Sequence, residues 1–190
     1  LNVEKDALWF NMISGGFRIS FFVIYLALIS LLKDVRRLFQ YHGSEHRVVY
    51  NFESGKELTI QNAQSFPTQH PRCGTSFLFI VLLSAILIFA VVDIIIISVI
   101  GTISLPIRLL FHIPIIPFVS GIGYEVIKLT ARKESLIFRI LRKPGLWLQH
   151  ITTSHPEDEM VEVAIIALKS AFGDEYENMT GKEYIAEAIG

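Results

Sequence analysis

The stretch FLFIVLLSAILIFAVVDIIIISVI, from Phe77 to Ile100, decides the fold class. It holds one charged residue, Asp93. At about 1.5 Å per residue, a helix of this length exceeds the ~30 Å of a bilayer's hydrocarbon core. Working outward, Gly16 to Leu32 is apolar apart from Arg18, and reads as a first span of 16–32 preceded by an external segment 1–15. Leu105 to Leu129 carries Pro106, Pro114 and Pro117 together with Gly121 and Gly123, so a third span of 105–129 is expected to cross as a kinked helix, the alternative being entry and return. The composition agrees. The chain of 190 residues is 52% hydrophobic and 18% charged, where soluble domains are about a quarter charged. The expected fold is an all-α membrane protein with about three transmembrane helices and a small cytoplasmic helical layer.

Lys and Arg near the span ends set the orientation. Lys33, Arg36, Arg37, Arg47, Lys56 and Arg72 lie in the 33–76 connection, and Arg132, Lys133, Arg139, Arg142 and Lys143 follow the third span. Both regions are expected in the cytoplasm, including the whole of 130–190, with the uncharged turn between Ile100 and Leu105 outside. The first span is expected to run on as one helix through His46, because no Pro interrupts it. Beyond it, Arg47 to Phe52 and Glu57 to Ile60 flank Ser54-Gly55 as a hairpin, unless Thr59 caps a short helix through Phe66. Gly74-Thr75-Ser76 is expected to cap the second span. Pro144 to Leu148, with Trp147, suits the headgroup layer. A helix opening at Pro156 and stopping at Gly173 has Met160, Val163, Ala164, Ala167, Leu168 and Ala171 as its apolar residues, and Thr180-Gly181-Lys182-Glu183 reads as the capping box of a last helix. A start at Leu1 suggests a piece of a longer polypeptide. With 17 Lys+Arg against 18 Asp+Glu, no basic field invites nucleic acid.

Chemistry concentrates at His42-Gly43-Ser44-Glu45-His46. An i, i+4 spacing puts both imidazoles on one helix face with Glu45 beside them, and H-x-x-E-H is the order in which two His hold zinc and the Glu is the general base. A further ligand is sought among Glu125, His70, Cys73, His150, His155 and Glu162. The plain alternative is that His42 and His46 cap the helix and meet lipid phosphate beside Arg36 and Arg37. Cys73, the one cysteine, sits where a helix N-terminus and Arg72 favour thiolate. It reads as a soft ligand, a nucleophile, or a small residue in a tight turn. Asp93 and Arg108 lie 7.5 positions either side of the middle of the uncharged turn. They are therefore level within hydrocarbon and expected to pair, in preference to forming an ion or proton pathway. His112 is expected to hydrogen-bond locally.

Together, Tyr41 to His46, the run His70-Pro71-Arg72-Cys73-Gly74-Thr75-Ser76-Phe77, Gly121 to Glu125, and Pro144 to Gln149 with Thr152-Thr153 and Glu162-Val163-Ala164 resemble the YqhQ-like family of bacterial membrane proteins. The resemblance covers about Arg18 to Leu168. It implies a membrane protein with important His-rich motifs, in a family described only as predicted metal-dependent enzymes, and implies no reaction. Members carry a Gly-rich segment ahead of the spans, and an acidic residue is usual where His155 stands, which weakens His155 as a ligand. The expected function is a divalent-metal site, zinc preferred, at the cytoplasmic surface of the bacterial inner membrane, serving hydrolysis of a lipid-linked or peptide substrate with Glu45 as base. A non-catalytic scaffold or assembly factor is the alternative, and a transporter the third reading. The expected partners are the lipid bilayer and other membrane proteins or a second copy of the chain.

Overall fold

The computed structural model describes residues 7–132 and 135–184. These residues form eight α-helices: α1 Ala7–Ile29, α2 Lys33–Glu53, α3 Ile60–Gln64, α4 Gly74–Ile100, α5 Leu105–Arg132, α6 Leu136–Thr152, α7 Asp158–Phe172 and α8 Tyr176–Met179. The chain is an all-α membrane protein. Trp9–Ile29, Gly74–Ile100 and Leu105–Thr130 are each long and apolar enough to cross a bilayer.

α4 is the central span and packs against α1, α5 and α6. Close approach is bought with small residues: a Cβ on Gly15 would stand 2.6 Å from the Ile86 side chain, and one on Gly123 would stand 2.6 Å from Val81. α5 is one continuous helix despite Pro114 and Pro117, and Pro106 falls in its first turn, where a missing N–H costs nothing. The turn before it opens on Gly101, whose φ of 81° is left-handed and ends α4.

The second layer, here the head layer, is built from α2, α3 and α7. Val48 and Phe52 of α2 meet Ala63 of α3 and Val161, Ala164 and Ile165 of α7 in one buried cluster. Outside the bilayer such burial contributes roughly 1.5 to 3 kcal/mol per large side chain. Phe52 also stacks on Phe172 and Tyr184.

Several expectations change. α1 starts at Ala7, within the segment 1–15 placed ahead of the first span, and its helix does not run on through His46. Ser30 and Leu31 turn, Leu32 is extended (φ −74°, ψ 132°), and α2 starts afresh at Lys33. The reason is tertiary: α1 packs on α4 and α6, whereas α2 packs on α3 and α7, and packing outweighs local propensity. There is no hairpin around Ser54-Gly55. α2 continues to Glu53, and Thr59 caps α3, its side chain accepting from the Asn62 N–H. Cys73, not the three residues after it, caps α4. The Pro144 segment belongs to the longer α6, which buries Gly145, Leu148, Gln149 and Thr152 and leaves Trp147 78% exposed. α7 ends at Gly173 as expected, but its buried face is Met160, Val161, Ala164 and Ile165, with Val163 exposed. Thr180 ends α8 instead of opening a helix, and Glu183 bridges to Ser54. Residues 185–190, where the last helix would continue, lie outside the described residues.

Candidate metal centre

Two segments converge on one point. α2 presents His42 and His46 one turn apart, their rings 4.4 Å between centroids, and the connection ending at Cys73 brings its thiol to the same face. His42 Nε2 lies 3.1 Å from Cys73 Sγ. One ligand atom from each of His42, His46 and Cys73 lies within 4.8 Å of the others. Tetrahedral zinc with N and S ligands at ~2.0 to 2.3 Å needs them ~3.3 to 3.6 Å apart, so small side-chain adjustments suffice.

The orientation of the rings is fixed by the backbone. His42 Nδ1 donates to the Thr152 carbonyl at 2.8 Å, and His46 Nδ1 donates to the Thr68 carbonyl. A carbonyl only accepts, so each Nδ1 carries a hydrogen, and Nε2 is the atom that donates to the Cys73 thiolate when the ring is charged and offers its lone pair to a metal when the ring is neutral. This is the outer shell by which metal-binding imidazoles are held. The thiol is prepared as well. Burial pushes the Cys73 thiol up, but hydrogen bonds from His42, His46 and Thr75 outweigh it and bring it down to about 5. The Cys73 thiol in turn raises His42 above its ordinary value, against the effect of burial, with the Thr152 carbonyl and the charge of Glu45 adding to the rise. Thiolate with two Nε2 donors is a set that fits zinc.

The cluster opens on a cleft of about 570 Å³ whose wall includes Glu45, Glu53, His70 and Arg72. Glu45 is exposed at its edge. His70 is close, with its ring centroid 5.6 Å from that of His46, but its ring nitrogens meet other groups. Its Nδ1 accepts from the Arg72 N–H at 3.3 Å, and its Nε2 lies 3.6 Å from Glu53. The other sequence candidates are elsewhere. Glu125 is exposed on α5 and Glu162 on α7, neither lining the cleft; His150 lines two different cavities; and His155 Nδ1 accepts from Arg47 at 2.7 Å. The arrangement thus leaves out Glu125 as a donor and makes His70 a neighbour.

Two residues at the site escaped the sequence reading. Glu53, at the end of α2, pairs with Arg72. Burial pushes its carboxyl up, but bonds from His70 and Arg72 prevail and hold it below the usual range. Gln149 is fully buried; its Oε1 accepts from the His70 N–H at 2.7 Å, and its Nε2 donates to the His70 carbonyl at 2.8 Å and to Ser76 Oγ at 2.7 Å. It locks the loop that delivers Cys73 onto α6. An amide at i+4 from Gly145 on an otherwise apolar helix face was the available signal.

Gly43 has a steric reason to stand between the two His. A Cβ there would lie 2.2 Å from the Ser154 carbonyl oxygen, a backbone atom. Gly43→Ala should force α2 away from 152–154 and move the Thr152 carbonyl off His42. The expected cost is about 1 to 3 kcal/mol of stability, as for other overpacking, together with a loss of about 10- to 100-fold in metal affinity through the outer shell. Thermal unfolding and a zinc competition titration would measure both, and a variant matching the wild type in each would refute the packing argument.

Comparison with solved structures finds no match. The protein of unknown function YqhQ of Bacillus subtilis (strain 168), itself uncharacterized, is 35% identical over 154 residues, covering 80% of this chain and 46% of that protein, so the chain spans about half of its relative's length. The family model described as protein of unknown function (DUF1385) matches residues 2–174. With that match over most of its length, the chain belongs to the DUF1385 family, the one that includes the spans and the His/Cys cluster within its matched region.

Proposed function

We propose that the protein is a zinc-dependent hydrolase working at the membrane surface. One observation carries the proposal: two imidazoles with Nδ1 tied to backbone carbonyls aim Nε2 at a thiol of depressed pKa, beside an open cleft. Three protein donors and one open position are the pattern of catalytic zinc, whereas structural sites close all four. Zinc held there supplies a Lewis acid and lowers the pKa of water. Glu45, at the cleft edge and next to His46 in sequence, takes the proton from the attacking water and returns it to the leaving group. A cleft in the head layer next to the spans favours a lipid-linked or peptide substrate presented at the bilayer.

The test is metal analysis of protein purified without added metal, which should give close to one zinc per chain. Protein that is fully folded, metal-free and unable to take up zinc would reject the proposal. That outcome would favour the scaffold reading, which has its own support in Val163 and Ile166, exposed on the side of α7 away from the core.

The head layer is proposed to be cytoplasmic and the membrane to be the bacterial inner membrane, because Lys33, Arg36, Arg37, Arg139, Arg142 and Lys143 all gather at the same end of the spans. Cysteines placed at the exposed positions Lys56 and Thr102 test this in a Cys73→Ser background. In intact cells a membrane-impermeant maleimide should label the variant at Thr102 and spare that at Lys56 until the cells are permeabilised. The reverse pattern would invert the topology.

A further inference from the structure

Two cavities lie apart from the metal cleft and share no lining residue with it. The larger, about 980 Å³, is apolar, walled by Ile19 and Val23 of α1, Phe79 of α4 and Leu146, Trp147 and Ile151 of α6. Counting ~1.5 Å per residue from Ile29 back to Val23, and from Gly74 on to Phe79, sets it roughly 7 to 9 Å inside the head end of the spans, at the depth of acyl chains. The smaller, about 380 Å³, is polar and is walled in part by Arg36 and Gln40 of α2, Ser154 and His155. Gln69 and His150 line both, so the chambers abut across these two side chains.

The charges are one-sided. No carboxylate lines either chamber, and Lys143 stands on the wall of the apolar one. Behind the polar chamber, the buried Arg47 donates to His155 Nδ1 and to Gln64, and among the described residues it makes no ion pair. With Nδ1 accepting, the neutral His155 ring carries its hydrogen on Nε2 and is a donor. An uncompensated guanidinium and further donors next to an apolar slot at acyl depth match an anionic amphiphile, phosphate outward and chain inward.

We propose that the two chambers together hold one anionic phospholipid, its phosphate in the polar chamber and an acyl chain in the apolar one. This lipid site does not depend on the metal reading: the chambers and the metal cleft share no lining residue, and the two sites meet only at Thr68, whose carbonyl accepts from His46 and which also lines the polar chamber.

The test is native mass spectrometry of the full chain in detergent, titrated separately with phosphatidylglycerol, with phosphatidylcholine of the same chains, and with glycerol 3-phosphate. One phosphatidylglycerol should be retained, roughly tenfold more tightly than phosphatidylcholine, and glycerol 3-phosphate should not be retained at the same concentration. Arg36→Gln should abolish most of that preference, and Val23→Trp, which fills the apolar chamber, should weaken both lipids. Leu146→Trp fills the same chamber from α6 and replaces Val23→Trp if that variant does not fold. Unchanged melting temperature and zinc content in these variants would place the effect at the chambers. Equal retention of the two lipids, retention unaffected by the variants, or glycerol 3-phosphate binding as tightly as the lipid would overturn the proposal.

Discussion

Replacing His46 with Ala, or Cys73 with Ser, is expected to lower zinc affinity by at least ~100-fold, more than the ~10- to 100-fold that loss of an outer-shell partner costs. Each change would remove one of the three proposed donors, and among the described residues no other His, Cys, Asp or Glu joins that cluster. His70 is engaged with Arg72 and Glu53, and Glu125 is on the surface of α5. His42→Ala should do the same and also free the Cys73 thiol from the hydrogen bond that depresses it most. Glu45→Gln is the informative contrast, since it should keep stoichiometric zinc and lose turnover. Because a bound metal stabilises the folded state by about 2.7 kcal/mol at a hundred times its Kd, a chelator should lower the melting temperature of the wild type and of Glu45→Gln but leave the ligand variants where they are. Cys73→Ser protein with wild-type zinc affinity would remove the thiol from the site and sink the proposed donor set.

How much of this was legible depended on the physics each feature obeys. The spans were readable because length and hydropathy are local quantities, and the bilayer imposes them on any sequence. The His42/His46 pairing was readable for the same reason: helical periodicity alone fixes which side chains share a face. The break at Leu32 was not, since nothing in Ser30-Leu31-Leu32 resists a helix. It exists because α2 has the head-layer core to cover while α1 has α4. At Ser54-Gly55 the turn chemistry suggested a hairpin, but Phe52 and Val48 lie on one helical stripe against α7, and that burial decided the outcome. The third donor was the hardest. Cys73, His70 and Glu125 were equal candidates on composition; what separates the first two is the loop held by the Gln149 clamp on the His70 backbone, a contact across 79 positions, which sets the Cys73 thiol beside His42 while the His70 ring packs against Tyr50 and Glu53 of α2.

Asp93 is expected to be the most damaging single substitution within the spans, more so than its partner Arg108. The pairing of Asp93 and Arg108 across the uncharged turn forms, at 3.1 Å, but the structure adds two members that spacing did not reveal. Asn11 of α1 donates to the same carboxylate at 2.7 Å, and His112 of α5 does so at 2.9 Å while stacking on Phe89. Asp93 is 0% exposed, so one carboxylate ties three spans together. Burial of Ile or Leu cannot replace that tie, because lipid tails are as apolar as those side chains and packing among the spans carries no hydrophobic drive. Asp93→Asn keeps the shape but removes the charge that Arg108 answers, and should cost about 3 to 5 kcal/mol if the part-exposed Arg108 stays within hydrocarbon, less if its side chain reaches the interface. Arg108→Gln should cost less, since Asn11 and His112 still donate to the carboxylate. The double variant should recover part of the Asp93→Asn loss, because it no longer leaves a guanidinium unpaired. The readout is melting temperature in detergent and the yield of monodisperse protein, with the order wild type, Arg108→Gln, double variant, Asp93→Asn. If instead all four melt together while the substitutions abolish function, the cluster is a relay for protons or ions, and its place in the molecule is that of a transport site and not of a staple.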